Sequence, residues 1–309
     1  MRICFVGVGS IATRHIRNLK EVFGENIKID ILRSGKGTDI QEDVKAYINS
    51  VYHSFEELPK GYDVIFITNP TKMHYETLQK YSENTKNFFI EKPVFETGKE
   101  ELKILEKVKG KICYVACPLR HTNVIQYLKN NIDLQDIYSV RCISSSYLPD
   151  WRSGVDYRNT YSAKKSLGGG VSIDLIHEWD YLSYLFGEPK RVSSFIGKKS
   201  HLEIDSDDIA IYIAEYEDKY IELHLDYFGR VPTRKIELYC KKDVVEADLI
   251  EQKVIYRKEN RVVNLEEERD SYQKKELIHF FNILNGNCLN DNTIEHACRT
   301  LRITRGNIE

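Results

Sequence analysis

Over its first 117 residues the chain alternates short apolar runs with amphipathic stretches. Arg2–Val6, Ile27–Leu32, Asp63–Thr68, Asn87–Ile90 and Ile112–Cys117 are short, apolar and rich in β-branched or aromatic residues, which predicts strands buried on both faces. Between them lie helical periodicities. One places Ile11, His15, Ile16, Leu19 and Phe23 together and stops at Gly24; another covers Thr71–Ser82; a third covers Gly98–Val108 with Leu102, Leu105 and Val108 on one side. Strand and helix in alternation predict a parallel, doubly wound α/β sheet.

Beyond residue 118 the pattern changes. A helix over Thr122–Asn131 leads to a long strand, Ile137–Tyr147, then to a polar and aromatic loop and one helix predicted over Val171–Phe186. Strands follow at Val192–Lys198, Ile209–Tyr216, Tyr220–Phe228, Arg234–Cys240, Val244–Leu249 and Val254–Arg257, with turns short enough for antiparallel neighbours. Helices over Ser271–Leu284 and Thr293–Asn307 end the chain. The expectation is two domains: 1–118, with the doubly wound parallel sheet, and 119–309, an α+β domain with a largely antiparallel sheet.

Composition narrows the function classes. The 309 residues carry a net charge of −2 and no basic stripe, which argues against a nucleic-acid partner. No apolar run approaches the roughly 20 residues that span a bilayer, and a strand beginning at the first residue leaves no room for a signal peptide. The seven cysteines are scattered and mostly in apolar runs, as expected of buried thiols in the cytoplasm. Cys113 and Cys117 lack a matching Cys/His pair, so no metal site is expected.

Gly7-Val8-Gly9-Ser10-Ile11-Ala12 matches G-x-G-x-x-A between the first strand and first helix. The first glycine suits a tight turn, the second lets backbone approach a pyrophosphate, and Ala12 permits close helix–strand packing. The helix N-terminus adds free N–H groups for phosphate. The second strand ends Leu32-Arg33-Ser34, where an NAD site usually carries an acid; Asp30 falls two residues early. Arg33 and Ser34 suit a 2′-phosphate, so NADP is the favoured cofactor and NAD the alternative. Glu91-Lys92-Pro93 follows a buried strand, where a fixed ammonium could polarise a carbonyl or stabilise an alkoxide; alone, the tripeptide fits a solvated lysine equally well. Gly168-Gly169-Gly170, which would let the backbone pass close to a bound molecule, precedes the helix bearing Asp174, His177, Glu178, Asp180 and Tyr181. On a continuous helix Asp174 and His177, at i and i+3, can meet and leave an oriented imidazole; a solvated polar face is the plainer reading. The loop Tyr147–Leu167 offers Trp151, Arg152, Tyr157 and Tyr161, and Arg120 adds a cation, for a sugar-like substrate bearing an acidic or nucleotide-linked group.

Taken in order, Gly7–Ala12, Thr68-Asn69-Pro70 with His74, Glu91-Lys92-Pro93, and Gly168–Gly170 with Asp174, His177 and Asp180 resemble the Gfo/Idh/MocA family of glucose–fructose oxidoreductase and inositol dehydrogenase relatives. The resemblance covers essentially the whole chain. It implies hydride transfer between a nicotinamide and a carbinol or carbonyl of a sugar derivative. It also implies Lys92 beside nicotinamide and substrate, His177 as acid/base with Asp174, and Thr68, Asn69, His74 and Glu91 along the cofactor. It implies a Rossmann domain over 1–118 and, over 119–309, a domain for substrate binding and oligomerisation whose open, largely antiparallel sheet would form a homodimer or homotetramer through its outer face. Asp174 and His177 stand three apart rather than the commoner four; a subgroup with a Ser-His-Glu-x-Asp-Tyr-like helix resembles Ile176–Tyr181 more closely. Rival readings are a dinucleotide-binding regulator without turnover, and an enzyme that oxidises transiently for elimination or epimerisation.

Overall fold

The computed structural model describes residues 1–35 and 39–306, which divide into two units. The first comprises Met1–Pro118 and Asp270–Arg299; the second comprises Leu119–Arg269 and the chain from Thr300 onward.

In the first unit, strands β1 (Arg2–Val6), β2 (Lys28–Leu32), β3 (Ile48–Tyr52), β4 (Tyr62–Ile67), β5 (Thr85–Ile90) and β6 (Ile112–Val115) form one sheet in the order β3-β2-β1-β4-β5-β6. Every pairing in it is parallel. Helices α1 (Ser10–Phe23), α2 (Glu42–Lys45), α3 (His74–Tyr81) and α4 (Glu101–Lys107) supply the crossovers that parallel strands require. The strand order reverses at β1, so loops after β1 and β4 face a switch point, the usual ligand position in such sheets. Strand β3 was not predicted. Ile48-Asn49-Ser50-Val51-Tyr52 lies at the sheet edge and is only partly buried, so it never needed an apolar run.

The second unit contains α5 (Asn123–Asn131), α6 (Val171–Asp174), α7 (Ile176–Phe186) and an eight-stranded sheet. Its strands are β7 (Ile137–Tyr147), β8 (Arg191–Gly197), β9 (Ile209–Glu215), β10 (Tyr220–Asp226), β11 (Phe228–Cys240), β12 (Val244–Asp248), β13 (Lys253–Tyr256) and β14 (Arg261–Asn264). Their order is β14-β13-β12-β11-β7-β10-β9-β8, antiparallel throughout except where β10 meets β7. Strand β11 starts six residues before the predicted Arg234, because Phe228 already pairs with Tyr147 across an irregular register.

Two expectations need correction. The second domain does not hold all of 119–309, since α8 (Ser271–Leu284) belongs to the first unit. Leu277, Phe280 and Phe281 are buried in one cluster with Phe5, Phe66, Phe89 and Tyr114. Phe66 stacks on Phe5 and Phe89, both at 4.6 Å, and Phe280 meets Phe89 edge-on at 5.2 Å. The amphipathic face of α8 thus covers a sheet face that would otherwise be wet. Second, the helix predicted over Val171–Phe186 is interrupted: Leu175 (φ −97°, ψ 31°) separates α6 from α7. The final helix, α9, spans Ile294–Thr304; its expected end at Asn307 lies outside the described residues, as does the side chain of Leu102.

If α8 is part of the first unit's core, Phe280→Ala lowers stability by about 3–5 kcal/mol. Urea unfolding measures this, and a loss below about 1 kcal/mol would mean the helix is only loosely applied.

Candidate active site

At the carboxyl edge of the first unit's sheet, Gly7 adopts φ +89°, and a Cβ there would lie 2.6 Å from the Asn69 Cα. The loops after β1 and β4 therefore touch backbone to backbone, which only glycine permits. The Thr68 hydroxyl reinforces the contact by donating to the Gly7 carbonyl at 2.6 Å. Gly9 differs: nothing lies within 4 Å of an added Cβ, so the space above it is open. Gly9 caps α1 without a side-chain bond, and the first-turn N–H groups of α1 lack intrahelical acceptors. Ser10 is exposed, Ile11 half-buried and Ala12 buried, as close packing against the strand demands. Asn69 donates to Thr77 at 2.8 Å, while its Oδ1 is shut from solvent without a hydrogen bond. An open cradle, a helix N-terminus and a waiting acceptor fit a dinucleotide.

The remaining residues of this edge are held from below. His74 is buried with Nε2 2.9 Å from the Asn69 carbonyl and Nδ1 3.2 Å from that of Val94; burial pulls its imidazole down. It braces the Asn69 loop and is not open to a ligand. His15 on α1, buried and unremarked in the sequence beyond its apolar stripe, meets the Glu91 carboxylate at 2.6 Å. Glu91 is thereby tied to α1, and the half-buried Lys92 follows at a cis Lys92–Pro93 bond. In the middle of β2, Asp30 accepts from Arg2 (2.8 Å) and from the Tyr62 hydroxyl (2.9 Å) inside the unit. The one acid of that strand is occupied, while Arg33 and Ser34 stand beyond the strand end, half-buried and exposed.

In the second unit, the segment 171–186 is buried nearly all round. Glu178 forms an ion pair with Arg234 of β11 at 2.7 Å. Asp180 forms two 2.6 Å bonds with the guanidinium of Arg120. Arg120 is enclosed, so it is a structural partner of α7 and not a cation offered to substrate: a buried carboxylate must be neutralised where it stands. Tyr181 is likewise core, its hydroxyl 3.2 Å from the Cys142 sulfur, and its placement as a substrate residue is withdrawn. On α7 ahead of Tyr184, His177 alone is partly exposed.

Asp174 lies at the end of α6, and the helix break removes the continuous i, i+3 geometry expected with His177. Its carboxylate accepts from the Tyr227 hydroxyl at 2.5 Å and also bonds Tyr161. Burial and this carboxylate push both phenols up, so they remain donors. Trp151 packs edge-on to Tyr227 at 5.2 Å, and the Arg152 guanidinium lies 6.0 Å from the Tyr161 ring. Asp174, Tyr161, Trp151 and Arg152 are thus brought together, through a Tyr227 that no motif marked. The Tyr157 hydroxyl accepts from the Glu203 N–H at 3.2 Å, and the residue lines one small cavity with Trp151 and Arg152. The triple glycine also has an internal cause. A Cβ on Gly169 would lie 2.0 Å from the Tyr161 carbonyl and one on Gly170 2.1 Å from Asp207, so these glycines let the chain pack on itself rather than on a bound molecule.

A switch-point sheet with an open glycine cradle, in a chain whose second unit carries a largely antiparallel sheet, defines a dinucleotide-binding protein of the Rossmann class. Comparison with known proteins is more specific. The sequence profile of an oxidoreductase family with an NAD-binding Rossmann fold, Gfo/Idh/MocA, matches residues 1–117, and that of the Gfo/Idh/MocA C-terminal domain matches 125–246. The chain belongs to the Gfo/Idh/MocA family. It is 27% identical over 197 residues to scyllo-inositol 2-dehydrogenase (NAD(+)) of Bacillus subtilis, covering 60% of this chain and 54% of that protein. The chain spans about half the length of the curated relatives it matches. Among solved structures, UDP-N-acetylglucosamine 3-dehydrogenase GnnA from Acidithiobacillus ferrooxidans superposes with TM-score 0.79 at 16% identity, covering 99% of this chain and 95% of that one. The WlbA dehydrogenase from Bordetella pertussis, solved with NADH and UDP-GlcNAcA, gives 0.77 at 15%, covering 99% and 96%. At these identities the two structures speak for the fold.

Because Arg120 is enclosed with Asp180, Asp180→Asn is expected to cost about 3–5 kcal/mol of stability. An unchanged denaturation midpoint, together with a raised KM in Arg120→Met, would return Arg120 to the substrate.

Proposed function

We propose that this protein is a nicotinamide-dependent oxidoreductase acting on a CH–OH or carbonyl group of a sugar derivative, with NADP favoured over NAD. The observation that carries the proposal is the open cradle at Gly9, at the head of α1 and at the carboxyl edge of a switch-point sheet. Occupation of Asp30 by Arg2 and Tyr62, with Arg33 and Ser34 following, supports the NADP preference, since no acid of β2 is left for a ribose 2′-hydroxyl. The bound nicotinamide supplies a hydride acceptor or donor.

In the oxidative direction His177 removes the hydroxyl proton while the carbon loses hydride, and in reduction it returns the proton to the new alkoxide. Lys92 places a positive charge at the oxygen that changes order. Asp174, held by Tyr227 and Tyr161, fixes the loop that carries Trp151 and Arg152. Those two side chains offer an aromatic face and a guanidinium to a sugar carrying an acidic or nucleotide-linked group, as in the named UDP-sugar dehydrogenases. The outer face of the eight-stranded sheet, which exposes Phe195 (74%), Tyr220 and Ile213, is the proposed homodimer or homotetramer surface. The free cysteines among the described residues fit a cytoplasmic location.

Nicotinamide fluorescence titration is the first test: saturable binding is expected, tighter for NADPH, and a folded, cofactor-free sample that binds neither would end the proposal. With a turned-over sugar nucleotide or keto-sugar in hand, His177→Gln should lower kcat about 10²–10⁴-fold with cofactor affinity unchanged. A variant of undiminished kcat would remove the acid/base role.

A further inference from the structure

We infer that His53 is a specificity-determining residue for the cofactor's 2′-phosphate, acting with Arg33; the inference rests on the NADP reading above. Strands β2 and β3 run parallel and end level, with Leu32 opposite Tyr52. The Arg33 N–H donates to the Tyr52 carbonyl at 3.0 Å, continuing the ladder one residue past the strand. His53 is the next residue along β3. Its Nδ1 lies 3.2 Å from the Arg33 carbonyl, and its ring lies over the Gly35 turn, where an added Cβ would be 3.9 Å from Nδ1.

This geometry has a chemical consequence. A carbonyl oxygen can only accept, so Nδ1 carries the proton in that bond and Nε2 is the nitrogen left for another partner. His53 is exposed, so the ring is reachable. Two strand ends therefore bring the His53 imidazole against the Arg33 backbone just beyond β2, where the adenosine ribose is received in this fold. From β2 the facing charge is Arg33. From the segment after β3 it is Glu57, whose carboxylate accepts the His53 backbone N–H at 3.0 Å. An imidazolium donates to a phosphate oxygen through Nε2 while Nδ1 keeps its bond to Arg33, so ligand and strand end are fixed together. A phosphate-free ribose receives no comparable benefit.

The test uses the whole protein and two small probes that differ only in the 2′-phosphate: adenosine 2′,5′-bisphosphate and 5′-AMP, titrated by calorimetry. The wild type should prefer the bisphosphate. His53→Gln, which keeps a hydrogen-bonding side chain without the charge, should weaken the bisphosphate about fivefold and leave 5′-AMP within about twofold. Arg33→Ala should lose preference in the same sense. Equal bisphosphate affinity in His53→Gln and wild type, with Arg33→Ala no longer selective, would overturn the role of His53 alone. Equal weakening of both probes would reduce His53 to a structural prop. A wild type indifferent to the 2′-phosphate would overturn the NADP reading, and this inference with it.

Discussion

Between Asp174 and Tyr181 the chain takes three carboxylates and a phenol out of water within eight residues, and the second unit is organised by the need to answer each of them. A buried carboxylate without a partner costs several kcal/mol, far more than a single apolar contact returns. Asp180 therefore draws Arg120 inward, Glu178 draws Arg234 from β11, and Asp174 is met by Tyr227 and Tyr161. These partners come from the chain just before α5, from β11 and the residue ahead of it, and from the loop ahead of α6. Together they fix the helix pair against the sheet from three directions. With its neighbours turned inward, His177 is left as the partly exposed imidazole at the head of α7.

The first unit follows a different economy, with backbone contact in place of charge. Gly7 and Asn69 approach so closely that the loops after β1 and β4 act as one edge, stiffened by Thr68, Thr77 and His74. The His15–Glu91 bond ties the loop after β5 to the same helix whose N-terminus opens onto the cradle. One helix thus presents N–H groups without intrahelical acceptors at its first turn and steadies Glu91, the neighbour of Lys92, from its second. The aromatic stack of Phe5, Phe66 and Phe89, closed by Phe280, supports this edge from within the sheet.

Much of this was legible in the chain alone. Five of the six parallel strands announce themselves as apolar runs, because burial on both faces admits little else; β3, at the edge, does not. The glycine cradle is visible because steric permission depends on residue type: only glycine accepts φ +89° and a 2.6 Å approach without strain. The charge at the end of β2 is also a local feature, readable as Arg33-Ser34 with no acid in the usual place.

What the sequence by itself determined is therefore whatever a residue's own chemistry fixes: period, turn permission and the order of motifs. Whether a polar side chain is offered to a ligand or answered by the protein depends on partners far away in the chain, and only the tertiary structure decided that. Arg120 and Tyr181 read as substrate contacts until Asp180 and Cys142 enclose them. Gly169 and Gly170 read as room for a ligand until the Tyr161 carbonyl and Asp207 fill the space. Tyr227 and the partnership of His15 carry no local mark at all, and the return of α8 to the first unit depends on an apolar face whose match lies in strands more than a hundred residues earlier. The physical reason is the same in each case: periodicity and turn chemistry act within a few residues, whereas desolvation is settled by whatever the fold brings alongside.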